Sequence, residues 1–399
     1  MQRVRRRLVR AAGSLVRLLI AFAAMSIGAV AAQTAEPPVR IGVSLGLSGA
    51  YQEIAELQRN AYRLWVRHVN ESGGLAGRRV ELVIRDDQSN PETARSIYED
   101  FIVRDKLDFV FGPYSSAITA AVVPLTEAHR YPLLAAGAAS DELWKRGYTH
   151  LLGTIAPAGR YTIGFLAILA QAGLKEFAIV SADDAFSVSL ADGARRWAPE
   201  YGLKVTSSQE VPKGTPNLER AATAARASGA QALLMAGHFE ESVTMRRALN
   251  AIGWTPNVFY ASVGPGLDAY KAAVGADAEG TFSTSVWEAR EDLKLPGSAE
   301  FLRAFIDAYG QKPSYQAAQA YAAGQILAHA VKKAGGVDRA AVRDALFKLD
   351  TNVLIGRFVV DRTGSQTKRF PLIIQWQRGQ REIVWPPELR TAEAITARR

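Results

Sequence analysis

The chain has 399 residues, 48% hydrophobic and 22% charged, with no cysteine and a formal net charge of +9. The lack of cysteine excludes disulfides, thiol catalysis, cysteine metal sites and a lipid anchor attached through cysteine. Residues 1–35 hold six Arg and no acid, leaving 42 basic against 39 acidic residues, near +3, without a basic run suited to nucleic acid.

Residues 1–10 carry Arg3, Arg5, Arg6, Arg7 and Arg10. An apolar run over 15–30 follows, interrupted by Arg17 and Ser26, and then the small residues Ala29-Val30-Ala31-Ala32. The order basic, apolar, small is that of a cleaved export signal, expected here over 1–32. The apolar part is short for a spanning helix of roughly 20 residues.

From residue 39 the pattern alternates. Val39, Ile41, Val43 and Leu45 recur at period two and predict a strand. A polar loop over 47–51 leads to a helix with Ala61, Leu64, Trp65, His68 and Val69 on one face, stopped by Gly73-Gly74. Val80, Leu82 and Ile84 predict a second strand ending at Asp86-Asp87. Asn90 and Pro91 open a helix whose stripe is Ala94, Ile97, Tyr98 and Phe101. A buried strand over 108–111 then meets the turn Gly112-Pro113 and a helix over 117–129 that starts on Ser115 and Ser116. A strand over 132–136 completes a βαβαβαβ unit, which calls for a parallel sheet with helices on both faces.

The alternation restarts after Thr154-Ile155-Ala156-Pro157, which reads as a crossing into a second unit. Strands are expected over 177–181, 203–207, 232–236 and 258–261, with helices over 159–172, 188–200, 218–228, 240–252 and 267–273. After a strand over 281–286 come three Ala-rich helices, over 299–309, 315–333 and 339–349, which most simply pack back on the first sheet. Strands return over 356–360 and 370–375, and residues beyond about 387 read as a frayed tail.

Catalytic readings find little support. Gly42, Gly46 and Gly49 do not stand directly before a helix as a dinucleotide fingerprint requires, and Asp86 suits a turn better than a ribose contact. There is no phosphate loop, zinc helix or nucleophile elbow. His68, His129, His150, His238 and His329 never fall at metal-ligand spacing; His68 fits a core position, and His129 and His329 fit helix surfaces. Nothing local supports a relay of Ser116, His238 and an acid, and no cofactor or metal is expected. Binding is better supported. Ligands of parallel sheets meet the carboxyl ends of the strands, here the loops 47–51, 114–116 and 137–140 of one unit and 183–186, 237–241 and 262–266 of the other. Two units presenting these rims to each other form a cleft that closes on a hinge.

Several segments carry a family resemblance: Ile41-Gly-Val-Ser-Leu-Gly-Leu-Ser-Gly49, Val69-Asn-Glu-Ser-Gly-Gly-Leu-Ala-Gly77, Asp86-Asp-Gln-Ser-Asn-Pro91, Phe111-Gly-Pro-Tyr-Ser-Ser116, Ser140-Asp-Glu-Leu143, Glu279-Gly280 and the 356–361 stretch followed by Gly364. In order and spacing the chain resembles the periplasmic binding proteins of ABC importers of the leucine/isoleucine/valine-binding type, over essentially all residues after the signal. The resemblance implies a type I periplasmic binding fold: two doubly wound parallel-sheet α/β lobes joined by three hinge crossings. Lobe I would comprise 36–154 and 284–360 and lobe II 155–283 and 361–390, with a tail over 391–399. It also implies a free periplasmic protein that hands a small solute to a membrane permease. The same clamp acting as a sensor on a receptor or regulator is the alternative.

The strand-end loops and the resemblance together give an expected ligand site at Tyr51, Tyr114, Ser115, Ser116, Gly137, Ala139, Ser140, Phe186, His238 and Val263. Ser116 matches the family's carboxylate-holding serine. Its threonine partner falls on Ala139, beside Ser140. From the second lobe an aromatic position falls on Phe186, a tyrosine position on His238, and the acid that pairs with a ligand ammonium on Val263. Glu240, Glu241, Asp183 and Asp184 are the nearby acids. An unpaired ammonium in a closed cleft is costly, so two ligand readings stay open. One is an amino acid. The other is a carboxylate or amide without an α-amino group, an aromatic or short aliphatic acid edged by Tyr51, Tyr114, Phe186 and Trp287.

Overall fold

The computed structural model describes residues 36–368 and 371–396. The export signal expected over 1–32, Phe370 as the start of a strand, and residues 397–399 of the expected tail lie outside the described residues.

The first unit runs β1 (Val39–Leu45), α1 (Gln52–Glu71), β2 (Val80–Asp86), α2 (Pro91–Glu99), β3 (Phe109–Phe111), α3 (Ser116–Ala128), β4 (Leu133–Ala135) and β5 (Leu151–Gly153). These strands form one sheet in the order β2-β1-β3-β4-β5, every pairing parallel. The central strands are buried on both faces, which is why they read as apolar runs. Asn90 caps α2 as its sequence predicts, its side chain accepting from the N–H of Glu92 and Thr93.

The second unit runs α4 (Ile163–Gln171), β6 (Glu176–Ala182), α5 (Ala185–Trp197), β7 (Lys204–Val211), α6 (Glu219–Ala227), β8 (Ala232–Ala236), α7 (Phe239–Ala251), β9 (Val258–Ala261), α8 (Asp268–Val274) and β10 (Thr281–Ser285). Then follow α9 (Ser298–Tyr309), α10 (Tyr315–Ala334), α11 (Arg339–Phe347), the hairpin β11 (Thr351–Val353) and β12 (Gly356–Phe358), and finally β13 (Leu372–Gln377) and β14 (Gln380–Trp385). The second sheet has the order β14-β13-β10-β9-β8-β6-β7. It is parallel except at β13 and β14, which run antiparallel.

Three strands escape the sequence pattern, among them the three-residue β11 of the hairpin. β5 has only three residues, too short for a period to register. β14 is paired to β13 through a tight turn at Arg378-Gly379. The tail expected to fray is instead tied down as far as residue 395. The Gln375 side chain donates to the Ile395 carbonyl and accepts its N–H, and Gln377 donates to the Glu393 carbonyl. The predicted helix over 159–172 begins later, at Ile163, after a short turn over Ala158–Arg160.

The Ala-rich block packs back on the first unit. α10 lies along α1, and Ala317, Ala318, Ala320, Ala322 and Ala323 are wholly buried. A Cβ on Gly324 would sit 2.1 Å from the Trp65 indole, so this contact requires glycine. His68 joins it half-buried, with Nδ1 2.8 Å from the Tyr321 hydroxyl, while His129 and His329 are exposed. The chain therefore passes between the sheets three times: after β5, after β10 and before β13. The first and third passages touch, the Gly153 N–H donating to the Gly364 carbonyl at 2.8 Å.

Candidate functional site

The carboxyl ends of the two parallel sheets face each other around a cavity of about 30 Å³. One water needs roughly 10–15 Å³ by the same measure. The rims are therefore nearly shut.

From the first sheet, the turn after β3 brings Tyr114, Ser115 and Ser116 to the wall. Ser115 is the N-cap of α3, its Oγ accepting from the Ile118 N–H at 3.3 Å. It does so at φ 82°, on the side of backbone space that side chains rarely adopt. Ser116 begins the helix, and its Oγ accepts the N–H groups of Ala139 at 3.1 Å and Ser140 at 2.9 Å. Both acceptor positions of that hydroxyl are thus used, and its proton is left to donate. Gly137 and Ala139 complete this wall. Gly137 lies where a Cβ would come 2.7 Å from the Tyr114 ring.

From the second sheet come Phe186, His238 and Val263. Asp184 caps α5, accepting from the N–H of Phe186 and Ser187 and from the Ser187 hydroxyl. Its Oδ1 also lies 3.2 Å from His238 Nε2. Burial alone would push the Asp184 carboxyl up. The hydrogen bond and charge of His238, the Ser187 hydroxyl and the Lys213 ammonium outweigh it and hold the group well below the usual carboxylate range. An ionised carboxylate only accepts, so Nε2 carries the proton. Nδ1 is buried without a partner. The Glu241 carboxylate spends its oxygens on the N–H of Gly214 and of His238. Asp183 accepts the Lys213 N–H, and Glu240 is exposed. None of these four acids lines the cavity.

Of the ten residues expected at the site, eight line the cavity; Tyr51 and Ser140 do not. Tyr51 stands just outside, its ring 5.1 Å from Tyr114 and 5.8 Å from His238. Its hydroxyl meets Lys213 Nζ, which also sits 4.7 Å from the Tyr51 ring centre. This contact joins the two units across the mouth. Ser140 spends its hydroxyl on Ser189 of α5 at 2.9 Å, a second bridge between units. Trp287 is not at the edge of the cavity. It is fully buried, with its indole N–H on Ser298 and its face toward Phe301.

Four wall residues were not expected: Ile155, Tyr161, Tyr315 and Gln319. Ile155 and Tyr161 belong to the first passage between the sheets, and Tyr315 and Gln319 to the start of α10. A segment that crosses between two facing rims must expose side chains to the space between them, so the crossing read at 154–157 carried that signal. The Tyr161 ring stands 5.8 Å from Phe186, and Phe186 5.4 Å from His238, extending one run of aromatic contacts around the cavity. Burial keeps the phenols of Tyr114 and Tyr315 well above their ordinary range, so both remain neutral donors. Gly266 leaves room for the edge of the Tyr315 ring, since a Cβ there would come 2.6 Å from it.

Sequence comparison matches residues 38–381 to the family model described as periplasmic binding protein. The Leu/Ile/Val-binding protein homolog 7 of Brucella melitensis is 24% identical over 393 residues, covering 93% of this chain and 97% of that one. Among solved structures, the leucine-binding protein of Thermotoga maritima superposes with a TM-score of 0.79 at 20% identity, covering 86% of this chain and 97% of that one. A solute-binding protein of an ABC transporter from R. palustris, in complex with benzoate, gives 0.76 at 20% identity over 90% and 97%.

Proposed function

The chain belongs to the family of periplasmic binding proteins, and from that premise we propose that it is the solute-capturing component of an ABC importer. It takes a small carboxylate- or amide-bearing solute between its two units, leaves it chemically unchanged, and delivers it to a membrane permease from the periplasm, after export on the segment 1–32. The observation that carries this reading is the placing of Ser116. A hydroxyl whose oxygen is already satisfied by two buried N–H groups offers its proton to the cavity, at the positive end of α3. That is an acceptor-binding arrangement, and the facing unit closes it with rings. Shutting the rims excludes water, which strengthens each polar contact within.

The cavity is too tight for a solute to enter without the rims parting, so hinge motion at the three passages is part of the function. Lobe I (36–154 and 284–360) and lobe II (155–283 and 361–390) are the bodies that move.

Thermal unfolding with candidate solutes tests the reading, because a ligand held only by the folded form raises Tm by mass action. Ser116→Ala is expected to weaken the solute that gives the largest rise by about 10- to 100-fold in titration calorimetry, the worth of a charge-assisted hydrogen bond. No product should form with either protein. Undiminished affinity, or turnover abolished by the substitution, would refute it.

A further inference from the structure

Resting on the reading of this cavity as the solute site, we propose that its solute is a carboxylic acid without an ammonium group, held acid-first at Ser116 with an apolar body among the rings. The two ends of the cavity differ in what they offer. At the first sheet stand the opening of α3, a helix of thirteen residues, and the uncommitted proton of Ser116. These favour an anion.

The opposite wall has no countercharge for a cation. Not one lining residue is acidic. Asp184 lies behind His238 and is shared among that ring, the Ser187 hydroxyl and two backbone N–H groups. Beside the mouth, the Lys213 ammonium meets the Tyr51 hydroxyl and draws on the Asp184 and Glu241 carboxylates. Glu288 keeps a buried oxygen without a partner, but it lines a different cavity, where its other oxygen holds Arg381. Val263 closes the wall with an aliphatic side chain 3% exposed.

His238 adds a second, independent pointer to a ligand. It is only 8% exposed, it lines the cavity, and its Nδ1 has no partner. Nδ1 is thus available to a polar group of the solute. Ile155, Phe186 and Tyr161 bring apolar surface to the remaining space.

Matched pairs differing only in the ammonium test the proposal by titration calorimetry on the dialysed protein: 3-phenylpropanoate against phenylalanine and 4-methylpentanoate against leucine, with benzoate and 4-hydroxybenzoate alongside. The acid of a pair is expected to bind about a hundredfold more tightly than its amino acid, or more, the scale set by burying an unpaired charge. Val263→Asp, which supplies the missing carboxylate, should shrink or reverse that ratio while far-UV circular dichroism stays unchanged. An amino acid binding as tightly as its acid, or a ratio indifferent to Val263→Asp in a folded variant, overturns the proposal, as does failure of every acid to bind. If phenylalanine or leucine binds tightly and loses affinity in Ser116→Ala and Phe186→Ala, the proposal falls while the cavity remains the solute site. If an acid binds equally well to both variants, the cavity itself is the wrong site.

Discussion

Ser116 has two tasks on one hydroxyl: its oxygen ties the 139–140 loop to α3, and its proton is left to donate. Residues of this kind were legible because a strand, a Gly-Pro turn and a hydroxyl-led helix form a local pattern. Tyr315 and Gln319 were not, since they reach the wall from a helix some 200 positions further along the chain, and only the packing of α10 on α1 brings them there. The Asp184–His238 pair was half legible: both residues sat in loops at strand ends, but their contact spans 54 positions. Its consequence for stability has a definite sign. The folded Asp184 carboxyl is held below its ordinary value of about 3.9, so the unfolded chain takes up the proton first as the pH falls. The stabilisation is complete above that value and is lost as the pH drops toward the folded one. Urea midpoints of the native protein and Asp184→Asn should therefore differ by a constant amount from pH 7 to about pH 5 and converge below about pH 4. A gap that stays constant down to pH 3 would contradict the pairing.

At the scale of elements, apolar periodicity located the helices and the long strands because each buries one stripe or one face. It missed β5 and β11 for their brevity, and it missed β14 because that strand ends the sheet with the exposed and half-buried residues Gln380 and Arg381. The tail read as loose because Glu393 and Ile395 contribute backbone groups, not side chains, to the buried amides of Gln375 and Gln377. Sequence patterns do not register backbone acceptors. The α1–α10 contact shows the reverse case, in which alanine richness signals close approach. Gly324→Ala would drive a methyl group into the Trp65 indole and is expected to cost about 1–3 kcal/mol of stability. Chemical denaturation checks this, with the midpoint falling and the slope unchanged. Wild-type stability in that variant would mean that the helices are less tightly seated than described.

At the scale of the whole molecule, two sheets are joined by three passages, and polar contacts bridge them beside the ring contacts at the cavity. Lys213 meets Tyr51, Ser189 meets Ser140, and the Asp141 carboxylate accepts the Gly159 N–H at 2.8 Å. On the proposed function, a solute held between the rims favours the shut form over the open ones. The general order of two alternating units was legible from the restart after residue 157. The degree of closure was not, because it rests on contacts between distant loops. A chain without cysteine allows this to be measured directly, by placing spin labels at Arg95→Cys on α2 and Arg220→Cys on α6 and recording the distance between them. A broad distribution without solute is expected to collapse to one narrow peak when a binding acid is added, with the collapse weakened in Ser116→Ala. A distribution unmoved by a saturating solute would contradict it.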